Sequence, residues 1–443
     1  MLKAYDIKKH IPLIIIFALA LVARVYWVLA VGNVPVSDFA NYQMLAENIA
    51  RGYGHTMFGL PVAWQGSGYP YLLGFFYRII GTTDVMAGKW LNVALSMGTL
   101  VFAWLIYSKI FTKGKFALVA LGITAFLPQY VAYVNVIGTE VFFTFLLSAI
   151  IFVKLYFLPR LPAIFVLGVL IGLSALVRPF MLAYPVILGV FMLSTTKPKQ
   201  VKRSLLFTGI AFLLTFALVS PWTIRNFNHF GRFIPISYNS GYVLFINNND
   251  FNVNGLWMNP SGATFPYTDR HEILMNALDG RSIHQAHDLE PYFNIWARQW
   301  IAENPLEYLK LGVLRVYRTF FDGANDIPQW AANVTQIYAE GLTDVERARL
   351  QRNHNFLEAS ASIATYILSG TAFLFVFVRF KPYVVAFFSK YGKISLLTSI
   401  VYINLAFFIV IPFFFEGQAR YAFPVFIFMI PAVVEVMRTL HEK

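Results

Sequence analysis

The chain contains no cysteine, which excludes a disulfide framework and any thiolate metal site. Charge is also scarce. Only 13% of its 443 residues are Asp, Glu, Lys or Arg, while 58% are hydrophobic; a soluble globular chain carries about 25% charged residues. With a mean hydropathy of +0.60, a soluble protein is excluded and a polytopic membrane protein is expected. Acids are the scarcer sign: 22 Asp and Glu against 35 Lys and Arg, a formal net charge of +13. In a soluble protein that balance would point to nucleic acid. Here the cations fall mostly in short loops between apolar runs, the distribution that retains loops in the cytoplasm, so no nucleic-acid partner is expected. A small-residue cleavage pattern is missing after the first apolar run, which therefore reads as an uncleaved span.

What is present is a series of about ten apolar runs, at 11–29, 85–107, 116–134, 141–155, 161–177, 180–193, 205–219, 359–378, 394–413 and 421–436. Basic clusters alternate with them: Lys3, Lys8 and Lys9; Lys109, Lys113 and Lys115; Lys154 and Arg160; Lys197, Lys199, Lys202 and Arg203; Arg379, Lys381, Lys390 and Lys393; Arg438 and Lys443. The alternation predicts both termini in the cytoplasm and residues 32–84 outside. Arg24, near the outer end of the first span, is expected to snorkel. The Pro221-Trp222 pair reads as the end of the seventh span. Residues 222–357 show no convincing span, and 306–321, apolar but interrupted by Lys310, Arg315 and Arg318, read as an interfacial or docked helix. The expected architecture is an all-α bundle. Residues 1–221 form a membrane module with its first external loop, 222–357 an extracytoplasmic segment, and 358–443 the last membrane helices. No repeated broken-helix pattern of the transporter type is visible.

The first external loop carries the most chemistry. In residues 37–51, Phe39, Tyr42, Leu45 and Ile49 recur at helical spacing, with Asn41, Gln43, Glu47, Asn48 and Arg51 on the other face. Ser37 reads as the N-cap, and Asp38 then lies in the first turn, where the helix dipole favours its charge. A second short helix, 69–80, follows the turn-forming run Gln65-Gly66-Ser67-Gly68-Tyr69-Pro70. On the external side the ionisable residues Asp38, Arg78, Asp84, Lys89, Glu140, Arg178, Arg225 and Arg420 stand mostly at span ends, where an unpaired charge is costly and so a mark of function. An arginine there also serves as a headgroup anchor. Glu140 has no such role, since acids gain nothing from anionic headgroups. Two acids among several cations suit a lipid phosphate whose bond is being broken. His284-x-x-His287 with Asp288 lacks a third well-spaced ligand and reads as a solvated face rather than a metal site. Asn333-Val334-Thr335 fits a glycosylation sequon too common to weigh.

The ordered motifs resemble the GT-C class of integral membrane glycosyltransferases, and among them bacterial relatives of protein O-mannosyltransferases and the lipid A aminoarabinose transferase. They are Ser37-Asp38, Gly68-Tyr69-Pro70, Thr139-Glu140, Leu176-Val177-Arg178-Pro179, Pro221-Trp222-Thr223-Ile224-Arg225-Asn226, Asn239-Ser240-Gly241-Tyr242, Asn247-Asn248-Asn249 and Arg420-Tyr421-Ala422-Phe423-Pro424. The resemblance implies a sugar donor linked to a polyprenyl phosphate. It implies transfer on the non-cytoplasmic side of the cell membrane with inversion, to a glycan, lipid or protein acceptor, among membrane lipids. It implies Asp38 and Glu140 as the catalytic acids, and Arg225, Arg420, Lys89 and Arg178 as donor-phosphate contacts. Tyr42, Tyr69, Asn226 and Tyr421 would contact substrate. The aminoarabinose branch has an acid and a lysine where this chain has Gln65-Gly66-Ser67-Gly68. No metal ligands are therefore assigned, and a divalent cation is left open as the one cofactor.

The residues support the same chemistry on their own. Transfer to a hydroxyl or amine needs a base for its proton and stabilisation of the departing phosphate. Asp38, at the membrane edge, suits the first task, and guanidinium groups suit the second. The alternative is a transporter or flippase of a lipid-linked sugar, but such proteins place ionisable groups near the bilayer midplane, whereas the acids here gather on one side.

Overall fold

The computed structural model describes residues 10–195, 200–265, 267–332, 334–389 and 394–442. Lys3, Lys8, Lys9, Lys197, Lys199, Lys390, Lys393, Lys443 and the sequon residue Asn333 lie outside the described residues. The molecule is all-α. Among the described residues the strand pairing is one two-residue hairpin, Thr56–Met57 with Leu60–Pro61.

Seven helices among the described residues are long and apolar enough to cross a membrane: Ile11–Ala30, Val85–Ile110, Thr139–Phe157, Val201–Phe230, Asp344–Ala386, Leu396–Phe414 and Ala419–His441. Gly114–Phe126 and Pro128–Asn135 form an eighth, bent by 52°. The bend falls where Pro128 disfavours helical geometry at Leu127 and supplies no N–H. Two shorter apolar helices, Leu161–Val177 and Pro179–Thr195, fall at the fifth and sixth expected spans. The chain is thus a multi-pass membrane protein.

Three local expectations are corrected. The helix expected to end at Pro221 runs on to Phe230. Pro221 lies in a 30-residue helix with a partly solvent-facing outer half, so Arg225 and Asn226 belong to a helix, not to a loop. The span expected at 359–378 is the middle of a 45-residue helix, Asp344–Phe388, which starts at a capping box between Thr343 and Glu346. Arg24 does not snorkel. Its guanidinium is fully buried and donates to Ser96 Oγ at 2.8 Å and to the carbonyls of Ala125 and Ala20 at 2.9 and 3.0 Å, tying three helices together inside the bundle. These bonds satisfy Nε and Nη1 and help make a buried arginine tolerable, while Nη2 is buried without a partner.

The two short helices between the first two spans are Asp38–Ala50 and Gly68–Ile80. They pack on each other, burying Phe39, Tyr42, Leu45 and Ile49 from the first and Tyr69, Leu73 and Tyr77 from the second. Gln43, expected on the outer face, is buried and hydrogen-bonded: it accepts from Tyr77 at 2.8 Å and donates to the Thr83 carbonyl and to Glu47. The helix Pro305–Phe320 docks its inner face, with Leu311, Gly312 and Arg315, on the Leu396–Phe414 helix. Leu306, Leu309, Val313 and Tyr317 remain exposed on its outer face, the pattern of an interfacial helix.

Candidate active site

Asp38 opens the Asp38–Ala50 helix, but Ser37 does not cap it. Ser37 has φ 51° and ψ −131°, and its side chain makes no capping bond, because this backbone geometry differs from the extended one in which an N-cap hydroxyl meets the N2 or N3 amide. A non-glycine residue at that φ is held by its surroundings, and here the strain lies immediately before the candidate base. The carboxylate is fixed from two sides. Gln65 Nε2 donates to Asp38 Oδ1 at 3.0 Å, and Arg420 Nη2 lies 3.5 Å from Oδ2. The side chain keeps 38% of its surface exposed, so a substrate can reach it. Gln65, which marked a departure in sequence, is therefore a direct partner of Asp38.

Beside it, the turn between Val177 and Pro179 presents Arg178 to Glu140 in the first turn of the Thr139–Phe157 helix, with an N–O distance of 2.8 Å. Glu140 is 2% exposed and Arg178 22%. Glu140 Oε2 is buried with no hydrogen-bond partner. Removing one member of such a pair costs on the order of 3 kcal/mol, the lower end of the range for buried pairs because Arg178 retains access to water. Arg178 also lies over the Tyr421 ring, and Arg420 over the rings of Tyr421 and Phe39, at centroid distances of 5.8, 5.6 and 5.8 Å. Phe39 in turn packs edge-on against Trp330 at 5.3 Å. The loop after the first span, the Glu140 helix, the Arg178 turn, the turn at Arg420 and the long segment at Trp330 thus converge on one spot.

Two acids join them that sequence reasoning passed over. Asp326 begins the short helix Asp326–Ala331, and its Oδ2 accepts the Arg420 backbone N–H at 3.0 Å. Burial pushes its carboxyl up to about 6. Glu416 accepts from Tyr421 Oη at 2.7 Å and Gln418 Nε2 at 2.6 Å, and burial raises its carboxyl above the usual range. Neither stands out in sequence, since Asp326 lies in a segment without periodicity and Glu416 in a turn. The one available hint was an acid within four residues of Arg420.

Of the other expected residues, Tyr42 is buried between the charged groups, where it feels Arg178, Asp38, Glu140 and Arg420. It packs edge-on against Tyr69, with centroids 5.8 Å apart. Tyr69 donates to Asn92 Oδ1 at 3.3 Å, and burial holds both phenols well above their ordinary range. Arg225 is not brought to Asp38. Its guanidinium donates to the carbonyls of Val62 and His55 at 2.9 and 3.0 Å and to Asn226 Oδ1 at 3.0 Å, and it stacks over Trp222. Asn226 donates to the carbonyls of Ile234 and Ile236. Lys89 donates to the Asn33 carbonyl at 2.7 Å, and Asn33 bonds onward to the carbonyls of Asn135 and Trp330. These three hold loops in place.

The histidines are not on a solvated face. His284 Nε2 lies 3.1 Å from Asn41 Nδ2, one helical turn beyond Asp38, and its ring packs edge-on against Trp64. Burial lowers its affinity for a proton, against the pull of Asp38. His287 packs on Phe230, and Asp288 pairs with Arg281. Among the described residues no three His, Asp or Glu side chains gather so as to hold a metal ion. The acids around Arg178 and Arg420 do not form a ligand set, so no step is routed through a cation.

No protein-family model matches the chain, and no curated protein matches it. Solved structures do. The chain is similar to the archaeal oligosaccharyltransferase AglB from Archaeoglobus fulgidus in complex with an inhibitory peptide and a dolichol-phosphate. The TM-score is 0.51 at 12% identity, covering 99% of this chain and 51% of that one. It is similar to the oligosaccharyltransferase of the same organism tethered to an acceptor peptide containing the NVT sequon, with TM-score 0.51, 12% identity and coverage of 98% and 50%. In the apo form the values are 0.50, 13%, 98% and 52%. The chain spans about half the length of the structures it matches. At this identity the likeness is one of fold: the chain shares its fold with about half of that archaeal oligosaccharyltransferase.

Proposed function

We propose that this protein is a glycosyltransferase that moves a sugar from a polyprenyl-phosphate-linked donor to a hydroxyl or amine of a glycan, lipid or protein acceptor. Transfer takes place at the non-cytoplasmic face of the cell membrane. The observation that carries the reading is an accessible carboxylate, Asp38, facing Arg420 beside the buried Glu140–Arg178 pair, in a bundle with this fold. Asp38 takes the acceptor's proton as the acceptor atom attacks the anomeric carbon. The bond from that carbon to the phosphate oxygen breaks, and the electron pair leaves with the lipid phosphate. Attack opposite the leaving group inverts the anomeric carbon. Arg420 and Arg178 stabilise the phosphate charge as it develops, by charge-assisted hydrogen bonds. Glu140 holds Arg178 in place for that role. Tyr42, Tyr69 and Tyr421 pack beside these groups, while Arg225, Asn226 and Lys89 fix the neighbouring loops. A dolichol-phosphate and a peptide in the similar solved complex support a lipid-phosphate donor and a separate acceptor.

Purified protein in proteoliposomes, given a panel of polyprenyl-phosphate sugars with candidate acceptors, tests this. The expected result is release of polyprenyl phosphate coupled to glycosylated acceptor. Translocation of intact donor across the bilayer, with its phosphate bond unbroken, would establish a flippase instead.

A further inference from the structure

Arg420 is the cation nearest Asp38, yet its hydrogen-bonding capacity is only partly used. One terminal nitrogen faces Asp38 at 3.5 Å, a long contact, and its Nε is buried without a partner. Asp326 stands beside it and meets only its backbone N–H, leaving the other carboxylate oxygen, Oδ1, buried and unpaired. Tyr133 Oη, close enough to feel both Asp326 and Arg420, is unpaired as well. An acid and a guanidinium side by side would ordinarily bond through their side chains. Here the carboxylate is spent on the backbone instead, and the Nε–H of Arg420 is left buried and unpaired.

We infer that Asp326 tunes the donor site in two opposed ways: its hydrogen bond to the Arg420 backbone sets the position of Arg420, and its charge weakens the hold of Arg420 on the donor phosphate. Asp326 is on this view a positioning residue, and the inference rests on the reading of Arg420 as a phosphate contact. The charged and titratable groups facing it are Arg420, Glu140 and Tyr133. A phosphodiester arriving at Arg420 meets attraction from that guanidinium and repulsion from Asp326, and the repulsion disappears when Asp326 takes up a proton. Its carboxyl, held at about 6 by burial, makes that change accessible. A weakened hold also favours release of the lipid phosphate after transfer.

The two roles separate by substitution. In Asp326→Asn the amide oxygen still accepts the Arg420 N–H while the charge is gone, and in Asp326→Ala both are lost. The probe is a polyprenyl-phosphoryl glucose, a diester whose single charge does not change between pH 5 and 8 (about the range of interest here). Its binding to purified protein in nanodiscs is measured by microscale thermophoresis. Asp326→Asn is expected to bind it about 5- to 10-fold more tightly than wild type at pH 7.5 and Asp326→Ala more weakly than wild type, as expected for one neighbouring charge and one lost charge-assisted bond. Wild-type binding is expected to tighten as pH falls through about 6, and Asp326→Asn to lose that dependence. Both variants weakening together, or neither changing, overturns the inference. Thermal unfolding supplies an arm independent of the donor. The folded state holds the Asp326 proton more tightly than the unfolded chain does, so wild-type stability falls as pH rises from 3.8 to about 6 and stays reduced above it. Asp326→Asn should therefore melt higher than wild type at pH 7.5, with the gap closing toward pH 4. Should the probe fail to bind wild type while this gap appears, the donor reading fails and the opposition of charge and position at Asp326 moves to whatever anion Arg420 takes. If the gap is missing too, Asp326 does not sit charged against Arg420 and the inference is overturned.

Discussion

At the scale of single residues, the proposed function divides the candidate site into groups that would touch substrate and groups that hold them. Asp38 is exposed at one edge and restrained by Gln65 and Arg420, which is what a base needs: reach and a fixed direction. Asp38→Asn keeps the shape and can still pair with Gln65, so transfer is expected to fall by roughly 10²-fold while the donor still binds. Product formation and donor affinity, measured on the same purified variant, check this. Normal turnover would leave Asp38 a structural acid. Arg420 and Arg225 were equivalent in sequence, each a cation emerging beside a span. The structure parts them, because Arg225 is engaged by the carbonyls of His55 and Val62. Arg420→Ala is accordingly expected to weaken donor binding at least tenfold, for the loss of ~1.5–3 kcal/mol in charge-assisted contact. Arg225→Ala should instead lower the melting temperature, with the affinity of the protein that remains folded little changed. Equal loss of donor affinity in both would return Arg225 to the phosphate.

At the scale of elements, what matters is how separate stretches are brought into register. Gly66, next to Gln65, packs directly on the backbone of the Arg178 turn: a Cβ there would come within 2.5 Å of the Leu176 carbonyl and 2.7 Å of the Val177 carbonyl. Those atoms are backbone and cannot rotate away. Gly66→Ala must push the Gln65 loop and the Arg178 turn apart, costing about 1–3 kcal/mol and loosening both Asp38 and Glu140 at once. The expected outcome is a lower melting temperature together with at least a tenfold loss of transfer in the surviving folded fraction; full activity in that fraction would show that the loop is free to shift. This contact was not legible in sequence, where Gly66 read only as part of a turn. The two short helices were legible, because their apolar residues recur every three or four positions. So were the ends at Glu140 and Arg178, which interrupt apolar runs. The helix ends at Phe230 and Asp344 were missed for a common reason: polar residues on a helix that extends beyond the bilayer look like loop to a hydropathy reading. His284 and Asp326 were missed because their partners, Asn41 and Arg420, are 243 and 94 residues away, and no local period encodes such distances.

At the scale of the whole molecule, sidedness decides which sugar donors can reach the site. Asp38, Glu140, Arg178, Asp326 and Arg420 gather at one end of the bundle. At the other ends of these helices Lys113, in the basic turn after the second expected span, pairs with Glu442 of the C-terminal helix, and Arg203, after the sixth, donates to the Pro159 carbonyl in the turn after the fourth. On the proposed reading the positive-inside rule would place these basic turns in the cytoplasm and the acid–arginine cluster on the opposite face. The absence of cysteine makes this directly testable, since any thiol introduced is the only one to react. Tyr53→Cys in the first loop and Asn254→Cys in the long segment are exposed positions on the site's side, and Thr112→Cys is exposed on the other. In intact cells a membrane-impermeant maleimide is expected to label the first two and spare the third, and permeabilisation should add the third. Labelling of Thr112→Cys in sealed cells with protection of Tyr53→Cys would invert the protein. The carboxylate would then face a compartment where soluble nucleotide-linked sugars are available, and the case for a lipid-linked donor would lose its main physical ground: a sugar needed on the far side of the membrane must arrive attached to a lipid.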